Sequence, residues 1–463
     1  MNQLTNKNLI QPVSRAFYQM AWRWHFYAGL FVIPFLIMLS VTGTVMLFDK
    51  QIQSARYNLA VIQPSKQNDV LAVSALIAKV QQKYPKAHIK KYMPPKAQLL
   101  PAFVVIKDDS TTFHIALNPY NGEILDKLDR NNSVYAWAND IHGSLLIGDT
   151  GDRLIEAAAG LMLLLILSGL YMWWPSNNSS KRAVFWPLKG KGKRTYYREL
   201  HSALGLYTAI VMLFFIISGL AWAGIWGSKI VQPWSSFPMQ KSSNVPLSTL
   251  PHSSLNQGAM EEMPWNLEQT KLPASDTQVA KSVAYKKVSI DQIVAQAKSL
   301  NMDNYQLRLP LSEKAVYSLT ANTMSGDITD PRLDRTVHID QYSGKILADI
   351  GWDEYSPMAK FMAAGIALHQ GGIGSLNLWA NALLCMIMII ICITGIIIWF
   401  KRRPAKGYAL AAPAKVVSLK AWKLGIFTLV ALSILFPVTG VAILLFFAID
   451  SIYSYFQRRS ANP

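Results

Sequence analysis

The chain has 463 residues, with 45 Lys and Arg against 27 Asp and Glu for a formal net charge of +18, yet 51% of its residues are hydrophobic and only 16% charged. A disordered basic tail would be poor in apolar residues, and a soluble nucleic-acid binder would account for the charge but not for 14 Trp and long apolar runs. Two Cys exclude a disulfide-built scaffold, which leaves a membrane protein whose positive charge lies on one side.

Residues 1–25 carry Lys7, Arg15 and Arg23 without an acid. The apolar run over 26–48 is long enough to cross a bilayer, which takes about 20 residues. It is too long for a signal-peptide core and no small-residue cleavage site follows it, so it is read as retained. Residues 49–141 predict a first small α+β module. It has an amphipathic helix over 73–84, an alternating stretch over 103–107, and a strand–turn–strand at Leu117-Asn-Pro-Tyr120-Asn-Gly122-Glu-Ile124-Leu125. Residues 142–226 hold apolar runs over 154–174 and 202–226, joined by a loop with seven Lys and Arg against Glu199. Glu156 is the one carboxylate inside a predicted span. Residues 227–356 begin with a tract over 232–281 rich in Ser, Pro and polar residues, which reads as an irregular or flexible insertion. A second module follows, with a helix over 290–300, a strand over 315–319 and the matching turn Ile339-Asp-Gln-Tyr342-Ser-Gly344-Lys-Ile346-Leu347. Residues 357–463 hold runs over 376–400 and 424–449 around a loop with seven Lys and Arg and no acid. Cys385 and Cys392 read as core residues. The fold class is thus membrane α-helical, about five transmembrane helices, with two small α+β modules.

The three basic segments contain 17 basic residues and one acid, leaving 28 basic against 26 acidic residues elsewhere. The positive-inside rule therefore places the N-terminus and both short loops in the cytoplasm and both modules outside, and five spans leave the C-terminus outside. Arg458 and Arg459 then fall on the wrong side.

Four of the eight His stand at ends of predicted spans. His25 is followed at +4 and +18 by Gly29 and Gly43, and His201 at the same spacings by Gly205 and Gly219. His142 and His369 each precede a Gly-rich stretch and then Ser168-Gly169 or Thr394-Gly395, with 27 and 26 residues from His to Gly. A tandem duplication of a two-span unit with its module would produce this register. The fifth run has Thr439-Gly440 but Ala421 and Trp422 where a His would stand.

Two neutral imidazoles on different helices suit the axial positions of a low-spin haem iron. The candidates are His25 with His201 at the cytoplasmic level and His142 with His369 at the outer level. Gly29, Gly43, Gly205 and Gly219 would clear room for a flat macrocycle, with Arg23 and Arg198, or Arg153, near its propionates. The expected cofactor is haem b, one or two. The competing reading is an amphipathic side chain at a wet boundary beside ordinary Gly-mediated helix packing. The register repeated across both pairs favours ligation, and two His without a carboxylate or thiolate would underserve zinc. His88, His114, His252 and His338 read as surface or structural. The run over 26–48 is about 35 Å long, far for direct transfer between irons at its extremes. Either the sites lie deeper, aromatics bridge them, or one level alone holds haem.

The paired Tyr-x-Gly-x-Ile-Leu modules resemble the PepSY domain, and two such modules between spans resemble the PepSY-associated transmembrane family over most of the chain. Some members are haem-bearing inner-membrane reductases of siderophore-bound iron. The resemblance thus implies a multi-pass bacterial inner-membrane oxidoreductase with periplasmic modules and a ferric siderophore or other Fe(III) chelate as acceptor. The donor is left open between a cytoplasmic partner and quinol, because no Gly-x-Gly-x-x-Gly follows a strand and the cytoplasmic loops are too short for a nucleotide domain. The lipid bilayer is an expected partner and nucleic acid is not. The rival reading is a non-catalytic membrane protein whose modules bind or regulate an envelope peptidase, or sense envelope state. A transporter lacks the paired buried carboxylates and broken helices that coupling needs.

Overall fold

A computed structural model describes residues 13–49, 70–174, 192–235, 245–256, 263–277, 287–403 and 419–461, with positions 51, 52, 62, 185 and 413 besides. Most of both basic loops, at 175–191 and 404–418, lies outside these residues.

The first apolar run forms α1 (Val13–Leu47). The first module follows as α2 (Val73–Lys83), β1 (His88–Met93), β2 (Ala102–Asp108), β3 (Thr111–Leu117) and β4 (Ile124–Leu128). A short helix α3 (Val134–Ser144) carries His142 and leads through a Gly turn into α4 (Asp149–Trp173), and α5 (Lys193–Leu220) comes next. The insertion contributes β5 (Leu247–Pro251) and β6 (Lys271–Pro273). The second module is α6 (Ile290–Ser299), β7 (Gln306–Arg308), β8 (Tyr317–Ala321), β9 (Arg335–Ile339) and β10 (Ile346–Gly351). The chain ends with α7 (Pro357–His369), α8 (Ser375–Phe400), α9 (Leu419–Leu435) and α10 (Pro437–Ala461).

These elements divide into a sheet unit (Thr42–His142, Lys229–Ala382) and a helical unit (Met1–Val41, Gly143–Ser228, Leu383–Pro463). In the sheet unit the two repeats are joined edge to edge. Antiparallel pairing of β1 with β7 makes one eight-stranded sheet ordered β10-β9-β8-β7-β1-β2-β3-β4. The matching turns need glycine, since Gly122 and Gly344 sit at φ +71° and +69°. Ser289 caps α6 by accepting from Gln292 N while Gln292 reaches back to Ser289 N. Alternation along the strands sends Leu307, Leu319, Val337 and Ile339 to one face, where they pack on Ile293 and Ala297 of α6. Burial of each such side chain contributes about 1.5–3 kcal/mol.

The opposite face of the second repeat is polar and also buried: Gln306, Arg308, Ser318, Thr320 and His338 are all inaccessible. The described parts of the insertion cover it. Met263 and Trp265 are buried, Arg308 Nε donates to Leu255 O at 3.4 Å, and Ser275 N donates to Lys314 O at 3.0 Å. The tract expected to be irregular or flexible is therefore an ordered cover over 245–256 and 263–277. Its polar residues match a polar sheet face, a pairing that composition alone cannot show.

In the helical unit, among the described residues, α1, α4, α5 and α8 are long and apolar enough to cross a membrane, by length and composition. The fifth expected span is different. Pro34 is accommodated inside α1, but Pro437 ends a helix: it disfavours the α region for Phe436, the residue before it, and the helix breaks there. The Cβ that Gly440 lacks would stand 2.8 Å from Ser433 Cβ, whereas residues seven apart in a continuous helix lie about 10.5 Å apart along its axis. Gly425 abuts Met20 and Trp24, and the Phe446 ring lies 5.0 Å from that of Tyr27. Both arms therefore flank the same stretch of α1. The run over 424–449 is a helical hairpin whose arms carry the apolar stretches Lys423–Leu435 and Pro437–Ile449, the second helix continuing to Ala461. The single continuous fifth helix expected from the sequence is thus two helices. Reporters fused after residues 412 and 461 are expected to report the same side of the membrane; opposite sides would restore a fifth crossing.

Candidate functional site

The first histidine pair lies within the helical unit. His25 on α1 and His201 on α5 have ring centroids 6.3 Å apart and planes at 83°. Each ring is seated by a hydroxyl–glycine dipeptide on a third helix. Ser168 Oγ lies 3.0 Å from His25 Nδ1, and a Cβ on Gly169 would stand 3.3 Å from His25 Cε1. Thr394 Oγ1 lies 3.1 Å from His201 Nδ1, and a Cβ on Gly395 would stand 3.5 Å from His201 Cε1.

The hydrogen bonds determine which nitrogen carries the proton. Ser168 donates its one hydroxyl proton to Leu164 O at 2.5 Å, so it accepts from His25, whose Nδ1 must be the N–H. His201 Nδ1 lies 3.0 Å from Ile391 O, and a carbonyl only accepts, so this Nδ1 is also the N–H. A neutral imidazole has one N–H, which leaves Nε2 of both rings as lone-pair nitrogens. Two acceptors cannot bond each other, but both can bind one metal ion. Two nitrogens each about 2 Å from a shared metal ion, with about 1.1 Å from each nitrogen to its ring centre, would put the ring centres about 6.2 Å apart. The residues present could therefore hold a haem between their two Nε2 atoms.

The second pair lies within the sheet unit. Thr42 Oγ1 is 2.9 Å from His142 Nδ1, and a Cβ on Gly43 would stand 3.5 Å from His142 Cε1. His369 ends α7, whose last carbonyls are held from α8: Asn381 Nδ2 donates to His369 O at 3.0 Å and to Leu368 O at 2.7 Å. Burial pushes the His369 imidazole down to about 3, and the neighbouring His142 adds to this. The same seat thus recurs for His142, and Ser218-Gly219 repeats its sequence.

Sequence reasoning gave Gly29, Gly43, Gly205 and Gly219 the role of clearing room for a flat macrocycle, and their surroundings differ from one another. Gly43 seats His142, Gly29 faces Leu165 at 3.8 Å, and Gly205 opens on space with no heavy atom within 4 Å. The Gly219 carbonyl accepts from Trp222 N near the end of α5. The recurring Ser/Thr-Gly dipeptide was the missed signal, since a hydroxyl beside a glycine supplies both a bond and room for a ring. Arg153 also differs from expectation. Its guanidinium pairs with Asp152 and with Glu156, the latter at 3.7 Å, so its charge is met by carboxylates of its own helix rather than held open for a propionate. Those carboxylates accept from Gly224 N, Ile225 N and Trp226 N beyond α5. Arg23 donates to Pro413 O at 2.6 Å, and Arg198 is exposed.

A third histidine pair shows the contrasting arrangement. His252 and His338 are buried in the sheet unit with their Nε2 atoms 2.9 Å apart. His252 Nδ1 donates to Thr270 O at 2.8 Å, so its Nε2 accepts from His338 Nε2–H. His338 Nδ1 then accepts from the Ser318 hydroxyl at 2.9 Å. Every nitrogen is satisfied within the protein. Burial pushes His252 down to about 4 and His338 well below its usual range. This pair is structural, as one of the two sequence readings had it, and neither ring is on the surface.

Among the described residues no three of His, Cys, Asp and Glu cluster as a metal site. Cys385 and Cys392 are not joined in a disulfide, and Cys392 is buried. The family model described as the PepSY-associated TM region matches residues 22–402. Comparison with individually curated proteins gives no match.

Proposed function

The chain belongs to the PepSY-associated TM family, and from that premise we propose that it is a haem-bearing oxidoreductase of a bacterial inner membrane that passes electrons outward to a periplasmic Fe(III) chelate. The observation that carries this reading is the first pair: two imidazoles held as Nε2 lone pairs with centroids 6.3 Å apart.

His25 and His201 would hold one haem b and His142 and His369 a second. Each haem, when bound, supplies one-electron transfer by cycling its iron between Fe(III) and Fe(II). The chain's own residues do the rest. Gly169, Gly395 and Gly43 let the rings lie against neighbouring helices, and the hydroxyls of Ser168, Thr394 and Thr42 fix their orientation. The first pair, on helices that begin at the basic segments, would serve the cytoplasmic donor, a soluble partner or quinol, and the second pair would serve the periplasmic acceptor. The acceptor, a ferric siderophore or similar oxygen chelate, gains one electron. Fe(II) has lower charge density and hard oxygen ligands release it more readily. With four crossings and a returning hairpin, the C-terminus lies on the cytoplasmic side, which removes the anomaly of Arg458 and Arg459.

A visible spectrum of the purified protein in detergent tests the reading. The expected result is a sharp Soret band with α and β bands on dithionite addition, and Fe(II) trapped by ferrozine when a reduced sample meets a ferric siderophore. A colourless protein from haem-replete cells would leave the peptidase-regulator reading in its place.

A further inference from the structure

The face of α1 that carries His25 continues outward through Trp22 and Tyr18, three and seven residues back. The face of α5 that carries His201 continues at the same two steps through Arg198 and Arg194, both exposed. Arg402, just beyond α8, joins these two columns. Its guanidinium lies over the Trp22 ring at 4.1 Å, and burial, then the charge of Arg194, lowers it from its usual value. Three guanidiniums and two aromatic rings thus frame a mouth above the first histidine pair. No carboxylate among the described residues pairs with these Arg side chains. Glu199 is the one carboxylate on α1, α5 and α8, and it stands off the Arg face of α5. Lys193 and Arg194 open α5 with no acid in its first turn. Cations there oppose the helix dipole, so helix stability does not explain them. The positive-inside rule accounts for a basic loop, but not for which helix faces carry the charge.

We propose that this mouth is the docking surface for an acidic, soluble one-electron carrier, an iron–sulfur or flavin protein that supplies the electron to the first site. The inference rests on the haem reading above and selects between its two donors. Arg pairs with carboxylates through a two-pronged N–H fork while packing on aromatic rings, and the N-terminus of α5 adds positive potential. Both features favour an anionic partner. The transfer moves one electron from the reduced centre of the carrier to one Fe(III). The products are the oxidised carrier and Fe(II), and no atom or proton is exchanged. Quinol suits this place less well. Its oxidation releases two protons along with two electrons and needs a base beside the ring, and a guanidinium does not accept a proton.

Stopped-flow reduction of the full-length protein in phosphatidylcholine nanodiscs tests this. The probes are reduced plant-type ferredoxin as the acidic carrier and the methyl viologen radical as a cationic reductant. The ferredoxin rate is expected to fall about 10-fold or more between low salt and about 0.5 M salt, where screening removes the attraction. The viologen rate should not fall. Arg194→Glu combined with Arg198→Glu is expected to slow ferredoxin by about 10-fold or more at low salt without slowing viologen. Arg402→Gln should slow ferredoxin by a smaller factor. Lys298→Glu, the same charge change at an exposed position on α6, should leave both rates unchanged. Binding of oxidised ferredoxin, which needs no haem, should weaken in the same variants. Ferredoxin rates indifferent to salt and to the Arg variants overturn the proposal and leave the haem reading standing. Loss of haem absorbance in the Arg variants also overturns it, and would assign the guanidiniums to the haem. Phosphatidylglycerol that co-purifies with the parent protein alone, with ferredoxin rates unchanged, would give the mouth to lipid headgroups instead. Ferredoxin binding by an unsubstituted protein without haem keeps the docking contact and overturns the haem reading.

Discussion

Substitution of His201 by Ala is expected to remove one haem and leave the other, and His25→Ala should do the same. The two rings meet at a centroid separation of 6.3 Å with both Nδ1 atoms committed to the protein. On the proposed reading, removing either would leave one ligand where two are needed. Losing a mere outer partner of a ligand typically costs about 10–100-fold in affinity, so losing the ligand itself should empty the site. His142→Ala and His369→Ala are expected to empty the second site alone. Pyridine haemochrome content per protein is the measurement, and double variants across the pairs should be colourless. Variants of His252 and His338, whose nitrogens are satisfied by Thr270 and Ser318, should keep full haem content even where they lower stability. If His25→Ala and His369→Ala cause the same spectral loss, one shared site exists and the assignment to two pairs is wrong.

Asp334→Asn is expected to stabilise the sheet unit at neutral and alkaline pH. Asp334 is 4% exposed and accepts from Thr323 N at 3.0 Å. Burial pushes its carboxyl up to about 7, and the nearby Asp327 and Asp330 add to the rise. The folded state therefore prefers the protonated form. Below the unfolded value of about 4 both states are protonated and no penalty exists. As pH rises from about 4 to about 7 the unfolded chain ionises first, so stability falls, and above about 7 the full penalty of about 4 kcal/mol is present. Asn keeps the acceptor for Thr323 N and cannot ionise. Its advantage should be close to zero at pH 4 and reach a few kcal/mol at pH 8, read as a rising gap between thermal midpoints. Asp327, also pushed up by burial, contributes a slope of the same sign in both proteins. A gap that does not change with pH would falsify the assignment. The carboxyl lines a cleft with Trp265, Asn266 and Met324 against Ala363 and Ile366 of α7. The buried Tyr355 lies beside Asp334.

Several features were readable from the chain because they are local. The apolar runs of α1, α4, α5 and α8 follow from length and hydropathy. The helices α2 and α6 and the glycine turns at Gly122 and Gly344 follow from periodicity and from the φ those turns require. The four histidines could be singled out because a duplicated register repeats them at constant spacing. The hairpin at Pro437 was hidden, since Phe436 and Pro437 do not interrupt an apolar window although they break a helix.

The amino-acid sequence by itself thus determined the membrane class, the repeated helix-and-strand segments and the repeated register of four histidines. Only the tertiary structure decided what each of them meets. The bonds that hold the rings join residues 143, 193 and 100 positions apart, and no periodicity of 2 or 3.6 reaches that far. The joining of the two modules through β1 and β7 has the same origin, as does the neutralisation of Arg153 within its own helix. Proton placement is the clearest case. His25 and His338 are both imidazoles with a serine at Nδ1. The serine at His25 has spent its proton on Leu164 O and leaves Nε2 bare, whereas the serine at His338 donates its proton and leaves Nε2 protonated. That difference in one hydroxyl separates a lone-pair Nε2 from a protonated one, and it exists only once the chain is folded.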